Sequence, residues 1–491
     1  MIIVMGVNLY SVRLLIRGLG LEQYGVLNVV AGIVGIFLAF STSMSSTLHR
    51  FYSISLGEDI MDIKKRQKIF SSSILTYTIV GFFLILLAEF FGIWFINYKL
   101  IIDTKDITNV LWLFQLYVLS FFFTLWQAPF SAILIAHEEM KLFSILSILD
   151  SALKLCAAFA LIFLSENSLL AYGMMLTVIS IFVLFAYIYV VKYKFTEYKF
   201  MCLRNGGDVK EMLSFTGWTF LGTAANAGLM HGNTLIVNMF FGPIINGARA
   251  VSFQVNNALN SLVSNVVLGM KPPMIKAYAA GAYSKLNLIF YLSNKFIFIS
   301  TFVLCAPIYY NIELLLSIWI GEVTSEMILF SRLIIVYNIV MNLNNPISII
   351  VHATGKVKWY YILVECLTLS SVVMTYALYK MGYQASATYY TMICAIGMAH
   401  VGRLIILKTL YSGYSHKNYV IKFILPMLFF ALSIICWIEI FMFFIQVKGF
   451  YMYLILHTFI IAWSLLAAWG IGLDNIERRM LKDEYKKLKK I

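Results

Sequence analysis

Apolar runs of about 20 residues recur from one end of this chain to the other, and each is long enough to cross a bilayer as a helix. Clear cases are residues 26–47, 74–96, 168–191 and 451–471. Within lipid a backbone must satisfy its own hydrogen bonds, so repeated runs of this length specify helices. Composition agrees. The chain is 61% hydrophobic and only 12% charged, whereas soluble domains carry about 25% charged residues. The fold class expected is therefore an all-α integral membrane protein. The six cysteines form no CxxC pair and, Cys202 apart, lie in apolar runs. They read as reduced small hydrophobes.

Breaks at charged or Gly/Pro-rich points divide the chain into about fourteen spanning helices. The expected runs are 1–18, 24–48, 71–97, 108–135, 141–164, 168–191, 212–241, 246–270, 286–310, 326–351, 359–380, 384–407, 423–446 and 450–472. The first run is short and has neither a basic n-region nor a small-residue cleavage site, so no cleavable signal is expected. The stretch GEDIMDIKKRQKI (57–69) reads as an interfacial amphipathic helix.

The connections carry an orientation signal. One alternate set holds Arg50, Lys64, Lys65, Arg66, Lys68, Lys141, Lys192, Lys194, Lys199, Arg204, Lys210, Lys271, Lys276, Lys285, Lys356, Lys358, Lys408, Lys417 and Lys422, with a basic tail beyond. The opposite set holds only Arg17, Lys99, Lys105, Lys380 and Lys448. Cytoplasmic loops are enriched in Lys and Arg, so both termini are expected in the cytoplasm. The net charge of +14 is then mainly a topology signal, and no nucleic-acid partner is expected.

The chain also repeats itself. QAPFSAILIAHEEMKLFSIL (127–146) aligns without gaps on NNPISIIVHATGKVKWYYIL (344–363), with Pro129/Pro346, Ser131/Ser348 and Lys141/Lys358 among the identities. GLGLEQYG (18–25) falls over FFGPIING (240–247), matching Gly20/Gly242 and Gly25/Gly247. Each copy spans six helices, so the two share one orientation, which is a parallel repeat about an axis along the membrane normal. The expected organisation is a first lobe over 1–192, a linker over 193–211, a second lobe over 212–411, two further helices over 412–472 and a basic tail over 473–491. Paired lobes enclosing a central cavity are transporter architecture.

Charges inside such runs need water, a partner or a cavity, because each costs roughly 2.5–3.5 kcal/mol on insertion scales. Arg13 and Arg17 are one turn apart on one helix face. Arg17 suits either snorkelling to headgroups or a cavity, while Arg13 is deeper and favours the cavity. Arg249 shares a face with Phe253, Asn256, Asn260 and Ser264. The preceding helix carries Thr219, Thr223, Asn226 and Asn233, and a later one carries Asn338, Asn342 and Asn345. These stripes fit a polar cavity wall, or interhelical hydrogen bonding at about 0.6 kcal/mol per contact. Asp150 and Lys154, four residues apart, form a self-neutralising pair or a coupling site. Glu89, Glu365 and Glu439 are isolated acids open to coupling-ion or merely partnered roles. Arg332 either pairs with Glu326 or sits at the outer interface, and Arg403 is placed to snorkel. His49 and Arg50, with Lys271, rim a cytoplasmic entrance or mark topology. No phosphate-binding loop, nucleophile elbow, HExxH or paired metal-ligand pattern occurs. Neither a catalytic residue, a metal nor a cofactor is expected.

The segments SVRLLIRGLGLEQYGVLNVVAGIVGIFLAFSTSMSSTLHRFYSISLG (11–57), QAPFSAILIAHEEMK (127–141), FFGPIINGARAVSFQVNNALNSLVSN (240–265) and HATGKVKWY (352–360) resemble Wzx-type polysaccharide and O-antigen flippases. These belong to the MATE-like multidrug/oligosaccharidyl-lipid/polysaccharide exporter superfamily. The resemblance implies a V-shaped pair of six-helix lobes with two extra C-terminal helices, in the bacterial inner membrane. It implies transfer of an undecaprenyl-diphosphate-linked oligosaccharide from the cytoplasmic to the periplasmic leaflet, with membrane lipids and polysaccharide-polymerase machinery as further partners. It also implies a cationic cavity lined by the first, second, seventh and eighth helices, on which Arg13, Arg17, Arg50 and Arg249 fall. Two alternatives are a multidrug or metabolite exporter of the same superfamily and a membrane O-antigen polymerase or ligase. Cationic drugs favour acidic cavities, and polymerases need large outward loops that this chain lacks.

Overall fold

In the computed structural model the chain is helical, with no strand among the described residues. Those are all residues except 1, 59–62, 102–106, 165–166, 202–211, 214–215, 218–219, 221–222, 226, 357, 445–449, 475–476 and 480–491, and the side chains of 2–3, 46, 50, 53–54, 56–58 and 450 also lie outside the description. The helices are α1 (Ile2–Glu58), α2 (Ile63–Tyr98), α3 (Ile107–Ala136), α4 (Met140–Ala160), α5 (Ser168–Lys194), α6 (Asn233–Ala279) and α7 (Tyr283–Tyr310). They continue with α8 (Ile312–Trp319), α9 (Ser325–Asn342), α10 (Asn345–Thr354), α11 (Lys358–Lys380), α12 (Ala387–Leu410), α13 (Leu425–Phe444) and α14 (Phe450–Ala467).

Among the described residues, 12 helical stretches are long and apolar enough to cross a membrane. Two of them hold two expected runs each. α1 carries 1–18 and 24–48, and the stretch Thr223–Ala279 carries 212–241 and 246–270 in its described part. Both are broken at a glycine. Gly20 adopts φ 78°, ψ 167° and Gly242 adopts φ 77°, ψ −175°. Only glycine adopts this region readily. At 1.5 Å per residue an unbroken α1 would run about 85 Å, against a hydrocarbon core of about 30 Å. The break at Gly20 divides it into arms of spanning length.

The apolar surface faces outward as lipid solvation requires. On α2, Phe82 is 64% and Phe90 is 81% exposed. Its buried positions mix large residues such as Phe70, Tyr77 and Phe95 with a run of small ones, Ser71, Ser72, Ser73 and Thr76. Small residues at helix contacts let backbones approach, since lipid supplies no hydrophobic drive between helices. The expected interfacial helix over 57–69 falls partly on undescribed residues 59–62, and from Ile63 onward the chain is the start of α2 itself.

The chain divides into two compact units. The first comprises 1–250 with 372–388, and the second 251–371 with 389–491. In the first, α3 packs on α5, α1 and α2, while α4 packs on α1 and α5. In the second, α7 packs on α9, α13 and α14, around a core that includes Phe290, Ile347, Ile350, Phe430 and Leu456.

Candidate functional site

The intramembrane cations and amides lie within these helices, and the two units hold them differently. In the first unit Arg13 is half-buried and Arg17 is exposed, both before the Gly20 break. Among the described residues neither makes an ion pair or a side-chain hydrogen bond. Arg249 on α6 is buried, 3% exposed. It donates to Thr234 Oγ1 and, at 3.0 Å, to the Met230 carbonyl. Contacts to a carbonyl and a hydroxyl fix the position of the guanidinium.

Thr234 connects Arg249 to α1. It sits against Gly32, and one turn away His231 fills the space over Gly35, where a Cβ would stand 2.5 Å from the imidazole. His231 lies in a π-helical turn, Gly228–Gly232. Such turns re-aim side chains and recur at functional sites. Gly32, Gly35, His231, Thr234 and Arg249 thus form one contiguous cluster. His231 was not a sequence candidate, although the paired Gly32 and Gly35, three apart on one face, were the legible sign that something bulky docks there.

Thr223 accompanies Ser43 of α1, with their hydroxyls 2.5 Å apart. Thr219, Asn226 and the side chain of Arg50 fall outside the described residues. Asp150 and Lys154 make an ion pair at 2.8 Å on an exposed face. Glu89 accepts from Gln115 Nε2 at 2.7 Å.

In the second unit the asparagine stripes of α6 and α9 meet. Asn338 Nδ2 donates to Asn256 Oδ1 at 2.8 Å and to Asn260 Oδ1 at 2.9 Å, and Asn342 Nδ2 donates to Asn338 Oδ1 at 2.9 Å. Asn345 Nδ2 extends the ladder to Asn342 Oδ1 at 3.0 Å. In this conformation the amides bond to one another. Glu365, half-buried on α11, accepts from Thr368 at 3.4 Å. Arg403 corrects the snorkelling expectation. It is 9% exposed, and its Nε donates to Tyr360 Oη at 3.1 Å, because the phenol and ring face give it a buried resting place. Arg332 packs over the Tyr309 ring at 5.8 Å.

At the end of α3, outside the spanning stretches, His137 stacks on Phe195 and meets Tyr198 Oη at 2.9 Å. Burial lowers its pKa below the ordinary 6.5, and raises that of the Tyr198 phenol. Among the described residues no group of three His, Cys, Asp or Glu side chains is placed to hold a metal ion.

The model of the family described as "Polysaccharide biosynthesis protein" matches residues 1–303. The chain belongs to that family. No curated protein matches it. Among solved structures it resembles "Inward-facing conformation of a multidrug resistance MATE family transporter of the MOP superfamily", at a TM-score of 0.71 and 12% identity over 83% of this chain and 96% of that one. It equally resembles "Lipid II flippase MurJ, inward closed conformation", at 0.71 and 14% over 95% and 98%. A third, "Crystal structure of MATE in the bent conformation", aligns at 0.56 and 13% over 83% and 92%. At these identities the likeness establishes the fold. The chain is a multi-pass membrane protein with that fold.

Proposed function

We propose that this polysaccharide-biosynthesis family member is a flippase carrying an undecaprenyl-diphosphate-linked oligosaccharide from the cytoplasmic to the periplasmic leaflet of the bacterial inner membrane. Its work is alternating access without chemistry on the cargo, with 1–192 and 212–411 as the two moving halves. The observation that carries this reading is the pair Arg13 and Arg17, placed in an apolar span without an acidic partner among the described residues. Uncompensated cations in oil need an anion, and a diphosphate headgroup supplies it. Arg249, fixed by Thr234 and the Met230 carbonyl, is the second contact for that anion. Arginine suits this role because it stays charged and binds phosphate oxygens in a fork. The family match and the likeness to a structure titled a lipid II flippase support a lipid-linked cargo. Glu365 is the acid proposed for cation or proton coupling.

The test is complementation of a flippase-null strain that lacks surface polysaccharide. The wild-type chain restores export, and Arg13→Ala and Arg249→Ala reduce it at least tenfold at matched membrane levels, with Arg249→Lys intermediate. Full export by both alanine variants refutes the cation assignment. Drug resistance conferred by the wild-type chain without export supports the multidrug reading instead.

A further inference from the structure

A separate basic pocket lies away from Arg13 and Arg249, at the end of the first unit that the Lys/Arg distribution assigns to the cytoplasm. A pocket of about 630 Å³ opens between α2, α3 and the end of α5. Its floor is apolar, including Phe70 and Ile74 of α2, Phe130 of α3 and Val191 of α5. This volume lies in the range of small-molecule sites, roughly 300–1,000 Å³.

Three polar groups at this pocket lack what their neighbours have. In the same corner Lys194 Nζ pairs with Glu139 at 2.5 Å and Arg66 with Glu197 at 3.3 Å. Lys192 and Lys199, which line the pocket and are exposed, make no ion pair among the described residues. The indole Nε1 of Trp126, also in the lining, is buried and has no hydrogen-bond acceptor. A buried donor without a partner carries a desolvation penalty that an occupant's acceptor removes.

We propose that this pocket binds an anionic diacyl phospholipid of the cytoplasmic leaflet, with Lys192 and Lys199 at the phosphate, the Trp126 indole N–H on an acyl ester carbonyl, and an acyl chain along the aromatic floor. Each part of the pocket selects a part of this ligand. Two ammoniums without a carboxylate partner suit an anion, the apolar floor suits hydrocarbon, and the indole suits a neutral acceptor between them. A polyprenyl phosphate offers charge and hydrocarbon but no ester carbonyl. Inorganic phosphate offers neither hydrocarbon nor carbonyl. Basic sites of this kind, between helices on the cytoplasmic side, suit anionic headgroups. The site does not depend on the cargo, so its failure leaves the flippase reading intact.

The test uses the full chain purified in neutral detergent, with thermal unfolding followed as lipid is added. Phosphatidylglycerol raises the unfolding midpoint saturably, whereas phosphatidylcholine and inorganic phosphate do not, and any rise with polyprenyl phosphate is unchanged in the Lys192→Gln/Lys199→Gln double variant. Lys192→Gln and Lys199→Gln each weaken the apparent affinity about fivefold, the worth of one cation near an anionic surface. Their midpoints without lipid match wild type, which separates lost binding from lost folding. Ether-linked phosphatidylglycerol binds wild type more weakly than the ester-linked form, and the difference vanishes in Trp126→Phe. Equal phosphatidylglycerol affinity in wild type and the Lys192→Gln/Lys199→Gln double variant overturns the proposal. So does an equal response to inorganic phosphate, a polyprenyl phosphate response that is lost in that double variant, or no ester–ether difference in wild type.

Discussion

The α-carbon of Gly25 rests against the main-chain carbonyl of Pro243, so close that an added Cβ would fall on the oxygen. The contact is reciprocal. Gly247, its counterpart in the repeat, lies against Leu21, where a Cβ would stand 2.6 Å from the carbonyl oxygen. Leu21 and Pro243 are themselves counterparts at the same spacing. Asn246 Nδ2 adds a bond to the Gly25 carbonyl at 3.2 Å. Two copies of one sequence element therefore meet through equivalent backbone atoms, just beyond the breaks at Gly20 and Gly242.

Gly25→Ala and Gly247→Ala are expected to destabilise the chain by about 1–3 kcal/mol each, because the obstacle is backbone and cannot rotate away. The double variant costs less than the sum, since a shift that relieves one contact relieves its counterpart. Unfolding midpoints in detergent check both points.

The C-terminal segment is tied into the second unit by a buried ion pair. Lys295 Nζ on α7 lies 2.6 Å from Glu477 Oε2, with side chains 3% and 2% exposed. Glu477→Gln strands a buried ammonium and is expected to cost about 3–5 kcal/mol. Lys295→Met/Glu477→Leu removes both charges and restores most of that stability. Proteolysis after Gly472 across the series reports whether the segment has come loose.

His137 confers a pH dependence whose sign is fixed by its burial. Its folded pKa lies below 6.5 chiefly through desolvation, with Arg66 and Lys194 acting in the same direction and Glu197 and Glu139 opposing. As pH falls below 6.5 the unfolded imidazole takes a proton before the folded one does. Stability is therefore full above 6.5 and is lost as pH falls toward the lower folded value. Unfolding midpoints measured from pH 7.5 to 5 are expected to fall, and His137→Gln flattens this part of the slope.

Within the amide ladder, Asn338 donates to two partners at once. Asn338→Ala leaves Asn256 without its donor from α9, at an expected cost of about 0.6–2 kcal/mol. Asn345→Ala, at the ladder's end, costs less. Chemical denaturation of the two variants side by side checks the order.

The apolar runs and the charge asymmetry were legible in the sequence because lipid imposes them locally, and the internal repeat because its two copies keep matching residues. A span must be apolar over its own length, and a loop's charge acts at its own membrane face. Gly20 and Gly242 were legible as repeat partners from the alignment of 18–25 on 240–247. Tertiary structure decided the rest. Nothing local to Lys295 indicates that its partner is Glu477, far along the chain, or that Arg403 lies on Tyr360. The asparagine stripes could be read from helical spacing, but which amide faces which depends on the relative rotation of α6 and α9. His231 carries no signature of its own and gains its place only where Gly32 and Gly35 leave room for it. Periodicity records which face of a helix avoids water, whereas pairing across distant segments depends on packing of the whole chain.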